Sequence, residues 1–308
     1  MGVTLKSPPA TTPARGWQQR WIYPLALSSL VVNVLIVVTG GTVRLTASGL
    51  GCPTWPRCTE ESFVPHGELG FHGAIEFGNR LVTFLLAAVA IATFVAAWKY
   101  GRKPVTRLAL VLGLGVPAQA VIGGITVLTD LDPWIVGFHL LVSMAMIQVA
   151  VVLLRRLREG EGPAVATVPS TTAWLVRTTF ATGWVVLYLG TIVTGSGPHA
   201  GDLGAARNGL DPAAWSQLHT DFVFLLLGLT IGALFALRAV DAPARAIRAA
   251  NALLGIELAQ GLVGFVQYFT GLPTLLVGLH LLGSALVAAA LAWLLVGVRD
   301  RPVDQAPA

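Results

Sequence analysis

Long uncharged stretches alternate with short charged segments along the whole chain. Eight of these stretches are apolar and long enough for a helix to cross a bilayer, which takes ~20 residues for about 30 Å of hydrocarbon. The predicted spans lie within 20–44, 76–99, 107–130, 132–155, 177–202, 215–238, 249–269 and 274–299. The pattern therefore predicts an all-α integral membrane protein with eight transmembrane helices.

Composition agrees with this pattern. Of the 308 residues, 55% are hydrophobic and only 11% are charged, whereas a soluble domain carries about 25% charged residues. These values exclude a soluble globular enzyme, a disordered chain and a fibrous repeat. Membrane lipid is therefore an expected partner along most of the surface.

The positive charges are shared unequally between the two ends of the spans. All but four of the 20 Lys and Arg residues fall in the tails or the even-numbered connections, and the exceptions are Arg44, Arg57, Arg80 and Arg207. The positive-inside rule therefore predicts a multi-pass plasma-membrane protein with cytoplasmic tails at 1–20 and 299–308. The net charge of +5 reflects these cytoplasmic segments and does not indicate a nucleic-acid partner.

The two halves of the chain resemble each other. Val-Gly-Phe-His-Leu-Leu at 136–141 recurs as Val-Gly-Leu-His-Leu-Leu at 277–282, an offset of 141 residues. The same offset relates Gln119 and Gly123 to Gln260 and Gly264. The repeat predicts two tandem four-helix bundles, at 21–157 and 174–298, joined by a cytoplasmic linker at 158–173. Because four spans is an even number, the bundles are parallel, with a pseudo-two-fold axis along the membrane normal.

Three histidines lie inside even-numbered spans at a similar depth, about two helical turns below the outer surface. They are His139, His219 and His280. Ionisable groups within a span are costly and usually functional. His219 and His280 fall on different helices of one bundle, where two imidazoles can bind both axial positions of a haem iron. A simple hydrogen bond to a neighbouring helix is the alternative for each, and a zinc site is disfavoured because it needs four ligands.

The first bundle lacks one of these histidines. The residues that correspond to His219 and His280 are Asn79 and His139. The side-chain amide of Asn79 is a poor iron ligand. His72 lies seven residues before Asn79, about 10 Å further out along the helix, which is too far to replace it without a local break.

Several charged residues accompany the histidines. Glu76 shares a helix face with Asn79 and is either a proton acceptor beside a haem or the ion-pair partner of Arg80. Arg80 and Arg44 are outer cations that bind either haem propionates or lipid headgroups. Glu257, in the seventh span, is either a proton-path group or a protonated acid bonded within the bundle, and we prefer the second interpretation.

The chain has two cysteines, Cys52 and Cys58, both in the first outer loop. The outer side is oxidising, so a disulfide is expected there. The spacing of the two cysteines is compatible with a structural disulfide and with a redox-active one.

Two motifs and the three histidines resemble the haem A synthase family. The motifs are Gly-Thr-Val-Arg-Leu-Thr-Ala-Ser-Gly-Leu-Gly-Cys-Pro-Thr-Trp-Pro-Arg-Cys at 41–58 and Ile-Glu-Phe-Gly-Asn-Arg-Leu-Val-Thr at 75–83, and the likeness extends over 21–298. The resemblance implies an oxidoreductase that converts the C8 methyl of haem O to the formyl of haem A by successive hydroxylations. It also implies a substrate haem in the first bundle and a haem b in the second.

Residue by residue, the resemblance places His219 and His280 at the haem b ligands and His139 at one of two substrate-bundle histidines. Glu76 matches the acidic residue of a Glu-x-x-His motif, and the cysteines match an outer pair of many bacterial members. The motif's histidine is Asn79 here, so the substrate iron is bound through His139 alone or with another group. The haem O synthase and cytochrome oxidase assembly factors are the implied protein partners.

Two other functions are compatible with parts of the sequence. A dihaem b electron carrier that exchanges electrons with quinone is the main alternative, although it is expected to have four ligating histidines. A transporter would also accommodate the repeat.

Overall fold

The computed structural model describes residues 17–65 and 70–302, apart from the side chains of the first two residues. Parts of both predicted tails lie outside the described residues. Within the described part, eight helices are long and apolar enough to span a membrane. They are α1 (Trp17–Leu45), α2 (Gly70–Tyr100), α3 (Lys103–Leu128), α4 (Pro133–Arg156), α5 (Ser170–Ser196), α6 (Pro212–Ala239), α7 (Ala244–Phe269) and α8 (Thr274–Gly297). The predicted fold class is confirmed.

Helix α2 begins at Gly70, six residues before the predicted limit of the second span. The prediction stopped at Glu76 because a charge interrupts the apolar interval. In the structure that carboxylate forms an ion pair with Arg80 one turn further along the same helix, at 2.6 Å. Since the two charges compensate each other, the helix continues past both.

Local sequence signals set several helix starts. Asp132 accepts bonds from the backbone N–H groups of Trp134 and Ile135, at 2.9 and 3.1 Å, and so caps α4. Asp211 caps α6 in the same way. Each cap precedes a proline at the first helical position, where a missing N–H has no cost.

The helix contacts follow the repeat. Helices α1 to α4 pack in sequence and close through α1 and α4, and helices α5 to α8 close through α5 and α8. Between the bundles α4 packs on α8, while α1 contacts α8 and α4 contacts α5. Exchanging the two halves maps these contacts onto each other, as a two-fold axis requires. The two bundles therefore meet along α4 and α8.

The connecting loops lie at two opposite ends of the helix bundles. One end carries the loops at 46–65, 129–132, 197–211 and 270–273, and we call it the disulfide end. The other end carries the first and last described residues, and we call it the termini end.

A buried carboxylate organises the termini end. Glu159 is 4% exposed and lies 2.9 Å from guanidinium nitrogens of Arg155, Arg156 and Arg301. A buried charge needs such partners, because desolvation is costly. Two-residue strands β1 (Val165–Ala166) and β2 (Arg299–Asp300) pair antiparallel beside this cluster. The segment after α4 is thereby joined to the segment after α8.

Candidate functional site

The structure places the three in-span histidines at one level. His139 and His280 are the seventh residues of α4 and α8, and His219 is the eighth residue of α6. All three helices start at the disulfide end. At 1.5 Å per residue, each imidazole therefore lies about 9–11 Å along its helix.

Each of these imidazoles faces a glycine of a neighbouring helix. A Cβ built on Gly123 would lie 3.2 Å from Cε1 of His139, and one on Gly190 would lie 3.3 Å from Cε1 of His219. The corresponding distance from Gly264 to Cε1 of His280 is 3.5 Å. The glycines thus provide the space in which the rings lie. The repeat identifies two of them in the sequence, whereas Gly190 was missed because it lies outside the segments that match between the two halves.

The ring atom Nδ1 of all three histidines is enclosed and has no hydrogen-bond partner in the described part of the chain. An unpartnered polar atom within a membrane span is costly. Two imidazoles from different helices of one bundle, each with an unpartnered Nδ1 and a glycine clearance beside its ring, form a donor set that fits the iron of a tetrapyrrole.

The first bundle offers a different arrangement. Asn79, on α2, accepts a 2.7 Å bond at Oδ1 from the hydroxyl of Thr39 on α1. His72 contacts Ser48 through Nδ1, at 2.9 Å, nearer the disulfide end. The structure therefore does not bring His72 to the level of Asn79, and His139 is the imidazole that this bundle presents at that level.

Glu76 is 5% exposed and lies beneath the loop that contains the cysteines. One carboxylate oxygen pairs with Arg80, and the other accepts a 2.6 Å bond from the backbone N–H of Cys52. Arg80 also donates to the backbone carbonyls of Thr54 and Arg57, at 3.0 and 3.1 Å. Glu76 thus forms the ion pair with Arg80, and the pair holds the loop on α2.

The same loop contains a disulfide between Cys52 and Cys58, and both residues are fully buried. Trp55, between them, packs on α3, where a Cβ at Gly124 would lie 2.4 Å from its ring. Gly124 adjoins the glycine that faces His139. The loop therefore reaches the helix next to this imidazole, a contact that sequence reasoning missed and that the adjacent glycines of α3 could have suggested.

Arg44 connects the two bundles. Its Nε donates to the carbonyl of His199 at 2.5 Å, and its Nη2 donates to the carbonyl of Thr194 at 2.8 Å. Both acceptors belong to the end of α5 and the loop that follows it. The guanidinium therefore lies at the junction of the bundles, at the disulfide end.

Glu257 lies within the second bundle and is 6% exposed. Its Oε1 accepts a 2.8 Å bond from the hydroxyl of Thr230 on α6, and its Oε2 has no partner among the described residues. Glu257 lies seven residues from Gly264 towards the termini end, about 10 Å from the level of the imidazoles. The structure thus places it apart from the histidines.

Comparison with known families gives a match over the first part of the chain. A family model described as cytochrome oxidase assembly protein matches residues 23–72 and 68–201, which together make up more than half of the sequence. The chain belongs to this family. The matched region of the cytochrome oxidase assembly protein family contains Glu76, the disulfide loop and His139, and it confirms the resemblance predicted from the sequence.

Curated relatives of this chain include several haem A synthases. The haem A synthase of Geobacillus thermodenitrificans is 33% identical over 140 residues, and that of Geobacillus kaustophilus is 31% identical over 139 residues. Each alignment covers 44% of this chain and 43% of the relative, so the chain matches less than half the length of these two proteins. The haem A synthase of Bradyrhizobium sp. strain ORS 278 is 28% identical over 312 residues, covering 82% of this chain and 84% of the relative.

Proposed function

We propose that this protein is a haem A synthase, an oxidoreductase that converts the C8 methyl group of haem O to the formyl group of haem A. Family membership and the names of the relatives support this activity. The observation that carries the proposal is the set of three half-buried imidazoles at one depth, each with an enclosed and unpartnered Nδ1 and a glycine beside its ring. Such a set suits a protein that binds two haems, one in each bundle.

In this proposal the first bundle, residues 21–157, binds haem O as substrate. His139 contacts the substrate iron, and Asn79 stays bonded to Thr39 and does not ligate. A single protein ligand leaves one axial position of the iron open to an oxidant, whereas two imidazoles would close it. This arrangement explains how the bundle can be reactive although the family's second histidine is an asparagine here.

Glu76 is the proposed proton acceptor. Conversion of a methyl to a formyl group replaces two hydrogens by one oxygen atom and passes electrons to an external oxidant, and a base near the substrate can accept the protons that are released. The carboxylate lies one helical turn from Asn79 and is held in place by Arg80 and the N–H of Cys52. Arg80 and Arg44 are the proposed partners of the haem propionates, since both guanidinium groups lie at the disulfide end.

The second bundle, residues 174–298, is proposed to hold a haem b between His219 and His280. His219 and His280 would hold this group, which would supply electron transfer when bound. The chain's own contribution is to orient the two imidazoles from α6 and α8 and to leave room for their rings at Gly190 and Gly264. The apolar spans around them exclude water.

The proposed orientation places both termini in the cytoplasm and the disulfide end outside. The excess of Lys and Arg at the termini end supports it. The disulfide then lies on the oxidising side. The enzyme that makes haem O and cytochrome oxidase assembly factors remain the proposed protein partners.

Analysis of extracted pigment tests this function. Membranes from cells that express the full chain together with a haem O supply should contain haem A, identified by its formyl-haem spectrum, and His139→Ala should abolish it. Protohaem alone would favour the dihaem electron carrier. Purified protein without any haem, or with its full visible absorbance after His219 and His280 are both replaced by alanine, would contradict the proposal.

A further inference from the structure

We infer that Gln119 and Gln260 are positioning residues that fix the imidazoles of His139 and His280. Gln260, on α7, donates from its amide Nε2 to the main-chain carbonyl of His280 on α8, at 2.8 Å. Gln119, on α3, donates to the main-chain carbonyl of His139 on α4, at 3.1 Å. Both halves of the chain therefore contain the same bond. The inference rests on the proposed function, because it takes these histidines to be haem ligands.

The glycine beside each ring belongs to the same arrangement. Gly123 and Gly264 follow Gln119 and Gln260 by four residues, and residues with this spacing share a helix face. Helices α3 and α7 thus contact their histidine twice. The amide binds the main chain, and the glycine leaves space at the imidazole.

A bond to the main chain can control the ring because of helix geometry. A helical carbonyl already accepts a bond from the amide four residues further on, so the glutamine is a second donor that comes from another helix. Hydrogen bonds between helices from polar side chains are a recognised contact within membranes. Rotation or sliding of α8 against α7 would displace the imidazole of His280 from its position. Gln260 opposes both movements at the residue from which the ring projects.

The surroundings of Gln260 offer a second way to break this contact. Its side chain passes over Gly283 on α8, where a Cβ would lie 2.1 Å from Cδ of Gln260. An alanine at position 283 would therefore push the amide away while leaving the glutamine in the sequence. Gln260→Met removes the donor at nearly constant volume, so the two variants break one bond by different means.

Gln148 provides a matched control. It lies on α4 and donates from Nε2 to the main-chain carbonyl of Ala288 on α8, at 3.2 Å. This bond has the same chemistry and the same acceptor helix. Its acceptor, however, is eight residues beyond His280, about 12 Å along the axis. Gln148 also accepts a 3.2 Å bond at Oε1 from Nε1 of Trp184 on α5. Gln148→Met should therefore loosen the contacts of α4 with α8 and α5 without a direct effect on the imidazole.

The experiment compares full-length protein purified in detergent, as wild type and as the variants Gln260→Met, Gly283→Ala and Gln148→Met. The readouts are the haem-to-protein ratio after dilution, the midpoint potential of haem b and its low-spin electron paramagnetic resonance signal. Loss of a group that orients a metal ligand typically weakens metal binding by about 10–100-fold. We therefore expect both α7–α8 variants to retain haem about tenfold less well and to shift or broaden the resonance signal, whereas Gln148→Met keeps the wild-type spectrum.

Gln119→Met should leave the haem b signal unchanged and slow the oxidation of haem O. Wild-type retention, potential and signal in both Gln260→Met and Gly283→Ala would overturn the inference while leaving the proposed function intact. Equal changes in Gln148→Met would also overturn it, since they would indicate general loosening of α8. Colourless wild-type protein would instead refute the proposed function itself.

Discussion

Replacement of Gly123 by alanine tests the role of the glycine clearances directly. The new Cβ would lie 3.2 Å from Cε1 of His139, and 3.8 and 3.9 Å from its Nε2 and Nδ1. Carbon atoms in good contact are about 3.5–4.0 Å apart. The ring, or α3 as a whole, must therefore shift by several tenths of an ångström.

The effects of this shift on stability and on activity should differ. Overpacking lowers the free energy of unfolding by about 1–3 kcal/mol. Alanine in place of glycine within a helix raises it by about 1 kcal/mol, so the net destabilisation is small. Misplacement of a reacting group by 1 Å can lower a rate about 100-fold. For a shift of a few tenths of an ångström, we expect haem A formation to fall about tenfold.

The assay is the ratio of haem A to haem O in pigment extracted from membranes that contain equal amounts of folded protein. Gly113→Ala is the control, because it lies on the same helix and a Cβ there meets no atom within 4 Å. This control should keep wild-type activity. Full activity in Gly123→Ala would show that the ring of His139 does not need this space, and the role proposed for the glycine would be wrong.

Three further substitutions address the site and the second bundle. His139→Ala should remove haem A formation entirely in protein that remains folded, and unchanged turnover would refute its role as the substrate ligand. Glu76→Gln should slow haem A formation about 100-fold or more, whereas exposed Glu60→Gln should not, and equal rates in the two would exclude Glu76 as the base. Thr230→Val leaves a buried acid without its hydrogen bond and should destabilise the protein by about 1–3 kcal/mol, as measured by thermal unfolding in detergent. Exposed Thr270→Val should cost less, and equal losses would mean that the bond to the acid is unimportant.

The sequence predicts the architecture well because a bilayer imposes a simple rule on length and polarity. Every predicted span has a helix in the structure, and the repeat predicts how the helices group. The start of α2 was predicted too late because Glu76 interrupts an apolar interval, and a charge count does not recognise that Arg80 compensates it. Pairing between charged residues must be known before such an end can be located.

The site was predicted less completely. The depth of the three histidines follows from helix length alone. The residues around each histidine come from other helices, and contacts between helices leave no regular pattern along the sequence. Gln260 and Gly264 are visible as repeated residues, but their shared partner emerges only when α7 lies beside α8. The adjacent glycines of α3 indicate a close contact, but its partner, Trp55, depends on the path of an irregular loop.

The arrangement of helices around the two-fold axis separates two kinds of position. His139 and His280 lie on α4 and α8, which touch each other at the junction, whereas Asn79 and His219 lie on α2 and α6, which pack within their own bundles. A substitution on α2 or α6 therefore alters one bundle and leaves the contacts between the bundles unchanged. The asymmetry between asparagine and histidine occurs on this pair of helices, so the two halves can differ in chemistry without any change in how they fit together.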